Sequence, residues 1–332
     1  MPKLKALYLL NEAAFDVIYG PDERADVAEL VDVIAPLQTA RSVADDPAVL
    51  ADVDVILSGW GMPTMDEAFL AAAPNLKGVF YGAGSIKRMV TDAFWARQIP
   101  ITSAYAANAV PVIEYALAQI LLSLKRTWHY MFAIRAQGQY IPRTPVPGAY
   151  GSTVGIISLG MIGSGVAQKL QQFDVRVIAY DPFVKPERAA ELGVELCSLE
   201  DVFRRADVVS LHAPWLDETV GLLHGHHFAA MKQDATFINT ARGAIVREDE
   251  MIAVLQDRPD LWAILDVTYP EPPVPGSPLY TLPNVVLTPH IAGSLNNECR
   301  RMGRLTVEEL RKFVNGEALT WEIGRVQAAI MA

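Results

Sequence analysis

Cysteine is almost absent: the 332-residue chain has two, Cys197 and Cys299. Two cysteines cannot staple a small disulfide scaffold, and there is no Cys-x-x-Cys pair to hold zinc. Basic runs are missing too. With 28 Lys and Arg against 38 Asp and Glu, the formal charge is −10. A phosphate backbone is repelled on average by such a chain, so nucleic acid is not an expected partner. No unbroken apolar run approaches the roughly 18 residues that span a bilayer, so no membrane partner is expected. The early run Ala6–Leu10, ended by Asn11 and Glu12, is too short for a signal peptide. A cytoplasmic protein is expected. Low-complexity segments and internal repeats are absent as well, and the 22 glycines and 22 prolines are spread along the chain.

What is present fits ordinary globular folding. Hydrophobic residues make up 51% and charged residues 20% of the chain, and its length suggests about two domains. Short apolar runs suited to buried strands alternate with helix-permissive stretches, which favours a parallel α/β architecture. Early strands are predicted at Lys5–Leu10, Val31–Ala35, Val53–Leu57 and Leu76–Tyr81. A long helix is predicted after Asn108, its apolar face carrying Ile113, Leu117, Ile120, Leu121 and Leu124. Asn108 can cap its start and Pro111 fits its first turn. A loop over 143–148 is expected to follow. A second strand series is predicted at Thr153–Ile157, Val175–Tyr180, Val194–Cys197, Val208–His212, Ala235–Asn239, Trp262–Val267 and Asn284–Thr288. Helices are read at Ser198–Arg205 and Arg247–Gln256, with an amphipathic tail over Leu305–Val314.

The strand Thr153–Ile157 runs into Ser158-Leu159-Gly160-Met161-Ile162-Gly163. A glycine-bearing turn between strand and helix is where a dinucleotide pyrophosphate is held, because N–H groups at the helix start attract it. Gly160 lets the backbone approach the phosphates, and Gly163 lets helix and strand pack closely. Ser158 stands where the first glycine of Gly-x-Gly-x-x-Gly is usual. Asp181 follows 23 residues after Ser158, at the end of the next strand. A carboxylate there accepts ribose hydroxyls and repels a 2′-phosphate, so NAD is favoured over NADP. A phosphate-binding Gly-Lys-Ser/Thr is excluded by Met161, and a Gly-x-Ser-x-Gly nucleophile turn by Ile156.

Three later strands each end in reactive side chains. Asn239-Thr240-Ala241-Arg242-Gly243 follows one, Asp266-Val267-Thr268-Tyr269-Pro270-Glu271 the next, and Pro289-His290-Ile291-Ala292-Gly293 the last. In an open α/β sheet such ends line the ligand crevice. Arg242 offers a planar fork of donors for a substrate carboxylate and carbonyl oxygen. His290 can give a proton to that oxygen during reduction and take one back during oxidation. Glu271, hydrogen-bonded to His290, would fix its tautomer.

With these segments the chain resembles the D-isomer-specific 2-hydroxyacid dehydrogenases. The likeness runs through Gly82-Ala83-Gly84, the 158–163 loop, Leu211-His212-Ala213-Pro214, Asn239–Gly243, Asp266–Pro272 and Pro289–Gly293. It implies that Arg242, Glu271 and His290 are a catalytic triad. It also implies that Ser158, Gly160, Met161, Ile162, Gly163, Asp181, His212, Pro214, Thr240 and Asp266 line the NAD site, Asp266 at the nicotinamide carboxamide. The amides of Gly82, Ala83 and Gly84 resemble a cradle for the substrate carboxylate. The implied architecture is a flavodoxin-like substrate domain, residues 1–104 completed by 293–332, with a Rossmann-type coenzyme domain, 105–292, inserted in it and the active site in the cleft. A homodimer built on the long helix is implied, and no metal. With the chain stopping at Ala332, no appended regulatory domain is expected.

The chain departs from the family at Ser158, and at Ile86, where many relatives have Asp. Trp60, at a strand end, is a further candidate at the substrate. Glu271 stands where the formate dehydrogenases of the wider family have Gln, so formate is not the expected substrate. The activity implied is hydride transfer between NADH and a 2-oxo acid, or the reverse. An NAD(H)-sensing, corepressor-like binding protein is the alternative, disfavoured by the complete Arg–Glu–His set. A different Rossmann enzyme, such as a methyltransferase, would leave the three strand-end residues unexplained. The His224, His226 and His227 cluster has no carboxylate or thiol partner evident in sequence to complete a metal site.

Overall fold

A computed structural model describes residues 2–331. The chain divides into two units, Met1–Ala109 with Ser294–Ala332, and Val110–Gly293. The first break falls inside the helix Tyr105–Leu124.

The first unit holds five strands: β1 Lys5–Leu9, β2 Asp32–Val33, β3 Val55–Ser58, β4 Gly78–Tyr81 and β5 Ile101–Ser103. They form an all-parallel sheet in the order β2-β1-β3-β4-β5. Side chains alternate across a strand, and here both faces are covered. Leu7, Leu9, Ile56, Val79 and Ile101 enter one core. Ala6, Tyr8, Val55, Leu57 and Phe80 enter the other, closed by Met302, Val307 and Leu310. Burial on both sides explains why these strands read as unbroken apolar runs. β5 was not expected; three residues after Pro100 leave too little pattern to read. The helix carrying Met302 spans Cys299–Asn315, six residues ahead of its predicted start. Its first turns hide Cys299, Met302 and Gly303 between arginines, so the apolar side looks broken in sequence.

The second unit is a seven-stranded parallel sheet of β6 Thr153–Ile157, β7 Arg176–Tyr180, β8 Glu195–Leu196, β9 Val208–Leu211, β10 Thr236–Asn239, β11 Trp262–Leu265 and β12 Val285–Leu287. Their order is β12-β11-β10-β9-β6-β7-β8. The chain runs outward from β6 to β7 and β8, then returns to place β9 on the other side of β6. Such a reversal opens a crevice at the carboxyl ends of the two central strands.

The helix Tyr105–Leu124 corrects two expectations. It starts before Asn108, which lies inside it, and Pro111 is internal rather than in the first turn. Asn108 does not cap; its Oδ1 accepts the N–H of Ser294 at 3.0 Å. A further helix, Thr127–Gln137, follows a turn in which Arg126 has φ +52°. The Tyr105–Leu124 helix is also long and apolar enough, by length and composition, to cross a membrane. No such segment was expected because Glu114 and Gln119 interrupt the apolar run. Half of the helix is buried inside the protein, with Ala116, Ile120 and Leu124 packed into a core of the second unit.

Candidate active site

The carboxyl edge of the second sheet carries a row of polar residues, each just past its strand. Backbone hydrogen bonds continue the sheet ladder for one residue there: Ser158 N–H to Tyr180 O, His212 N–H to Ile157 O, Asp266 N–H to Asn239 O and Thr288 N–H to Leu265 O, at 2.8 to 3.0 Å. Ser158, His212, Asp266 and Thr288 are thereby held at the ends of β6, β9, β11 and β12, and Asp181 and Thr240 directly follow β7 and β10.

At β6 the chain turns into the helix Met161–Leu170 with Gly160 as its cap residue. The first N–H groups of a helix have no acceptor within it and present positive charge. A Cβ built on Gly160 meets nothing within 4 Å, so this face is open to a ligand. A Cβ on Gly163 would collide with the Ser158 carbonyl oxygen, so only glycine allows this approach of helix to strand. Met161 is exposed and Ile162 packs against the core beneath. Ser158 has φ +74°, the left-handed region that glycine enters freely and other residues at a cost. A tight turn is therefore made here, with serine carrying the strain.

Asp181 is more occupied than its assignment to the ribose anticipates. Leu159 N–H donates to Oδ2 at 2.7 Å, and Phe183 and Val184 N–H donate to Oδ1 at 2.9 and 3.1 Å. Ser158 Oγ makes only a long contact, 3.4 Å, with Oδ2. A carboxylate has about four acceptor positions, so the three N–H groups leave one, the position that the Ser158 hydroxyl contacts and a ribose hydroxyl would have to take. Two buried polar atoms nearby in this row, His212 Nδ1 and Thr240 Oγ1, have no hydrogen-bond partner among the described residues. Burial pushes the His212 imidazole down to about 4, so it is neutral, with Nε2 paired to Ser210 Oγ at 3.0 Å. An open glycine face, a helix start, one acidic acceptor and orphaned polar atoms suit a dinucleotide. Pro214, partly buried beside His212, receives the Thr219 hydroxyl on its carbonyl at 2.6 Å.

The residues expected to carry proton chemistry come from the next loops. His290 Nδ1 lies 2.7 Å from Glu271 Oε1, both side chains a little under half exposed (48% and 41%). Arg242 is half-buried and turns one guanidinium N–H onto Ala241 O at 2.6 Å. Asn239 braces that turn, accepting Ala241 N–H and donating to Arg242 O. A Cβ on Gly243 would strike the Thr268–Tyr269 backbone. The Arg242 segment therefore lies directly against the stretch leading to Glu271.

Asp266 is buried, and its carboxylate does more than sequence suggested. Oδ1 accepts the Thr288 hydroxyl and Ile291 N–H at 2.6 and 2.8 Å, and Oδ2 accepts Ala292 N–H at 2.9 Å. Its carbonyl accepts His290 N–H at 3.0 Å. Thr288 was not singled out from the sequence, although its place just past an apolar run is the same signal that drew attention to Asp266.

In the first unit, Gly82 and Ala83 are buried and Gly84 is partly so. Gly82 N–H donates to Ser58 O at 2.8 Å, and Ser103 Oγ faces the carbonyls of Ala83 and Gly84. This loop is thus fixed within its own unit. Trp60 is 37% exposed, while Ile86 is fully buried.

The model of the "D-isomer specific 2-hydroxyacid dehydrogenase, NAD binding domain" matches residues 118–292, over half of the chain. A D-3-phosphoglycerate dehydrogenase of Mycobacterium leprae is 36% identical over 256 residues, 76% of this chain and 48% of that protein. The chain thus spans about half the length of such relatives. An (S)-sulfolactate dehydrogenase of Chromohalobacter salexigens is 32% identical over 306 residues, 88% of this chain and 98% of that protein. The solved structure of Rhodotorula graminis D-mandelate dehydrogenase is similar with a TM-score of 0.80 at 25% identity, covering 98% of each chain. With a matching NAD-binding domain and a relative alike over nearly its whole length, the chain belongs to the D-isomer specific 2-hydroxyacid dehydrogenase family.

Proposed function

We propose that the protein is a cytoplasmic, homodimeric NAD-dependent dehydrogenase that interconverts a 2-oxo acid and its D-2-hydroxy acid. The observation that carries this reading is the 2.7 Å contact between His290 and Glu271, in a segment packed against that of Arg242. Glu271 holds His290 Nδ1–H, which leaves Nε2 to exchange a proton with the substrate oxygen. Arg242 binds the carboxylate and steadies the charge that develops on the carbonyl oxygen. NADH, when bound, supplies the hydride.

The carboxyl edge from Ser158 to Asp266 holds the cofactor, with Gly160, Met161, Ile162, Gly163, Asp181, His212, Pro214 and Thr240. The first unit is the substrate domain, its Gly82–Gly84 amides serving the carboxylate and Trp60 the substrate side chain. Asp181 excludes NADPH by charge, which needs no free acceptor. Asp181→Ala should therefore narrow the gap between NADH and NADPH.

The test is to follow NADH oxidation, with NADPH in parallel, across small, aryl, branched, phosphorylated and sulfonated 2-oxo acids. Turnover that His290→Ala loses supports the dehydrogenase and names its substrate class. Silence across the panel with NADH still bound moves the NAD(H)-sensing binding protein to the front.

A further inference from the structure

Thr288 has a single hydroxyl hydrogen, and Asp266 can only accept once ionised. The 2.6 Å contact therefore spends that hydrogen on Asp266 Oδ1. Tyr115, on the helix Tyr105–Leu124, places its Oη 3.0 Å from Thr288 Oγ1. Since Thr288 has nothing left to donate, Tyr115 must be the donor. The hydrogen bonds run one way, from Tyr115 to Thr288 to Asp266. Burial and the nearby Asp266 charge both raise the Tyr115 phenol above its ordinary range, so it keeps the proton that it donates.

We propose that Tyr115 and Thr288 are positioning residues for His290, their hydroxyls forming a donor chain that fixes Asp266, the anchor of the loop that carries the imidazole. Asp266 takes the N–H groups of Ile291 and Ala292 on its carboxylate and that of His290 on its carbonyl. His290 itself has φ +55°, which a non-glycine residue keeps only where its surroundings hold it. Without the Thr288 hydroxyl, one carboxylate oxygen loses a charge-assisted partner and the loop is freer to relax. Neither Tyr115 nor Thr288 needs to touch substrate. The proposal rests on the reading of His290 as the proton-transfer group, so its test carries a measurement independent of turnover.

The variants are Thr288→Val, Thr288→Ser and Tyr115→Phe, with amide hydrogen exchange read at Ile291 and Ala292 beside kcat and KM. Thr288→Val should speed exchange at both amides by about tenfold and lower kcat by about fivefold or more, with KM for the 2-oxo acid nearly unchanged. Thr288→Ser should restore both, and Tyr115→Phe should move both the same way by less. Parent-like exchange in Thr288→Val and Tyr115→Phe overturns the proposal. So does faster exchange with kcat unchanged, or a serine variant as impaired as valine. If Thr288→Val does not fold, the Tyr115→Phe result decides. If the parent turns over no 2-oxo acid, the functional reading falls, and exchange alone judges the anchor.

Discussion

His290 meets Glu271 across 2.7 Å although the two stand 19 positions apart, on loops that follow different strands. The contact engages Nδ1, so the carboxylate orients the ring and balances the charge that forms when it is protonated. Glu271→Gln keeps the shape and loses the charge. It should lower kcat by about 100-fold or more. Both side chains being partly exposed, stability should move by less than about 1 kcal/mol, which thermal melting and steady-state kinetics on the same sample would check.

Ser158 sits in the left-handed region at φ +74°. Ser158→Gly removes a strain of about 1–2 kcal/mol, offset in part by the greater freedom of glycine in the unfolded chain. A net gain of about 0.5–1 kcal/mol is expected in urea unfolding, with NADH affinity undiminished. A loss of stability would mean that the long Ser158–Asp181 contact outweighs the strain.

Gly243 leaves no room for a methyl group, because the backbone at Thr268 and Tyr269 occupies it. Backbone cannot swing aside as a flexible side chain can. Gly243→Ala should destabilise the protein by about 2–3 kcal/mol. By moving the Arg242 segment off the stretch before Glu271 it should also reduce kcat/KM more than tenfold. Wild-type kinetics in this variant would separate the two segments functionally.

His212 sets an acid limit. Folded, it titrates at about 4; unfolded, near 6.5. Between those values the unfolded chain binds a proton that the folded chain refuses, so acidification favours unfolding. Stability should be insensitive to this group above about pH 7 and fall by up to about 3 kcal/mol on descending to pH 4. Chemical denaturation at intervals over that range, in the parent and in His212→Asn, would show the slope flatten in the variant.

Much of the fold is legible because parallel strands buried on both faces leave short apolar runs such as Val55–Leu57 between helix-permissive stretches. Failures have local causes. Asn108 and Pro111 carry helix-start chemistry, yet the helix has already begun at Tyr105; tertiary contact claims the Asn108 side chain for Ser294. At the site, Arg242, Glu271 and His290 stand out by type and by position after apolar runs. The Tyr115–Thr288 contact joins positions 173 apart, and nothing periodic in the sequence marks it. Asp181 stands out by spacing, but its backbone donors at 183 and 184 come from a turn that spacing does not describe.

The anchoring of residues 290–292 on Asp266 also bears on the thermodynamics of ligand association. Ordering a loop costs about 1–2 kcal/mol of backbone entropy per residue fixed. Here that entropy is lost when the chain folds, not when a ligand arrives, so the loop should add little to the entropy or heat capacity of binding. Calorimetric titration of a 2-oxo acid should then report the burial of the ligand itself, and a loosened loop would reveal itself as an entropic penalty on association.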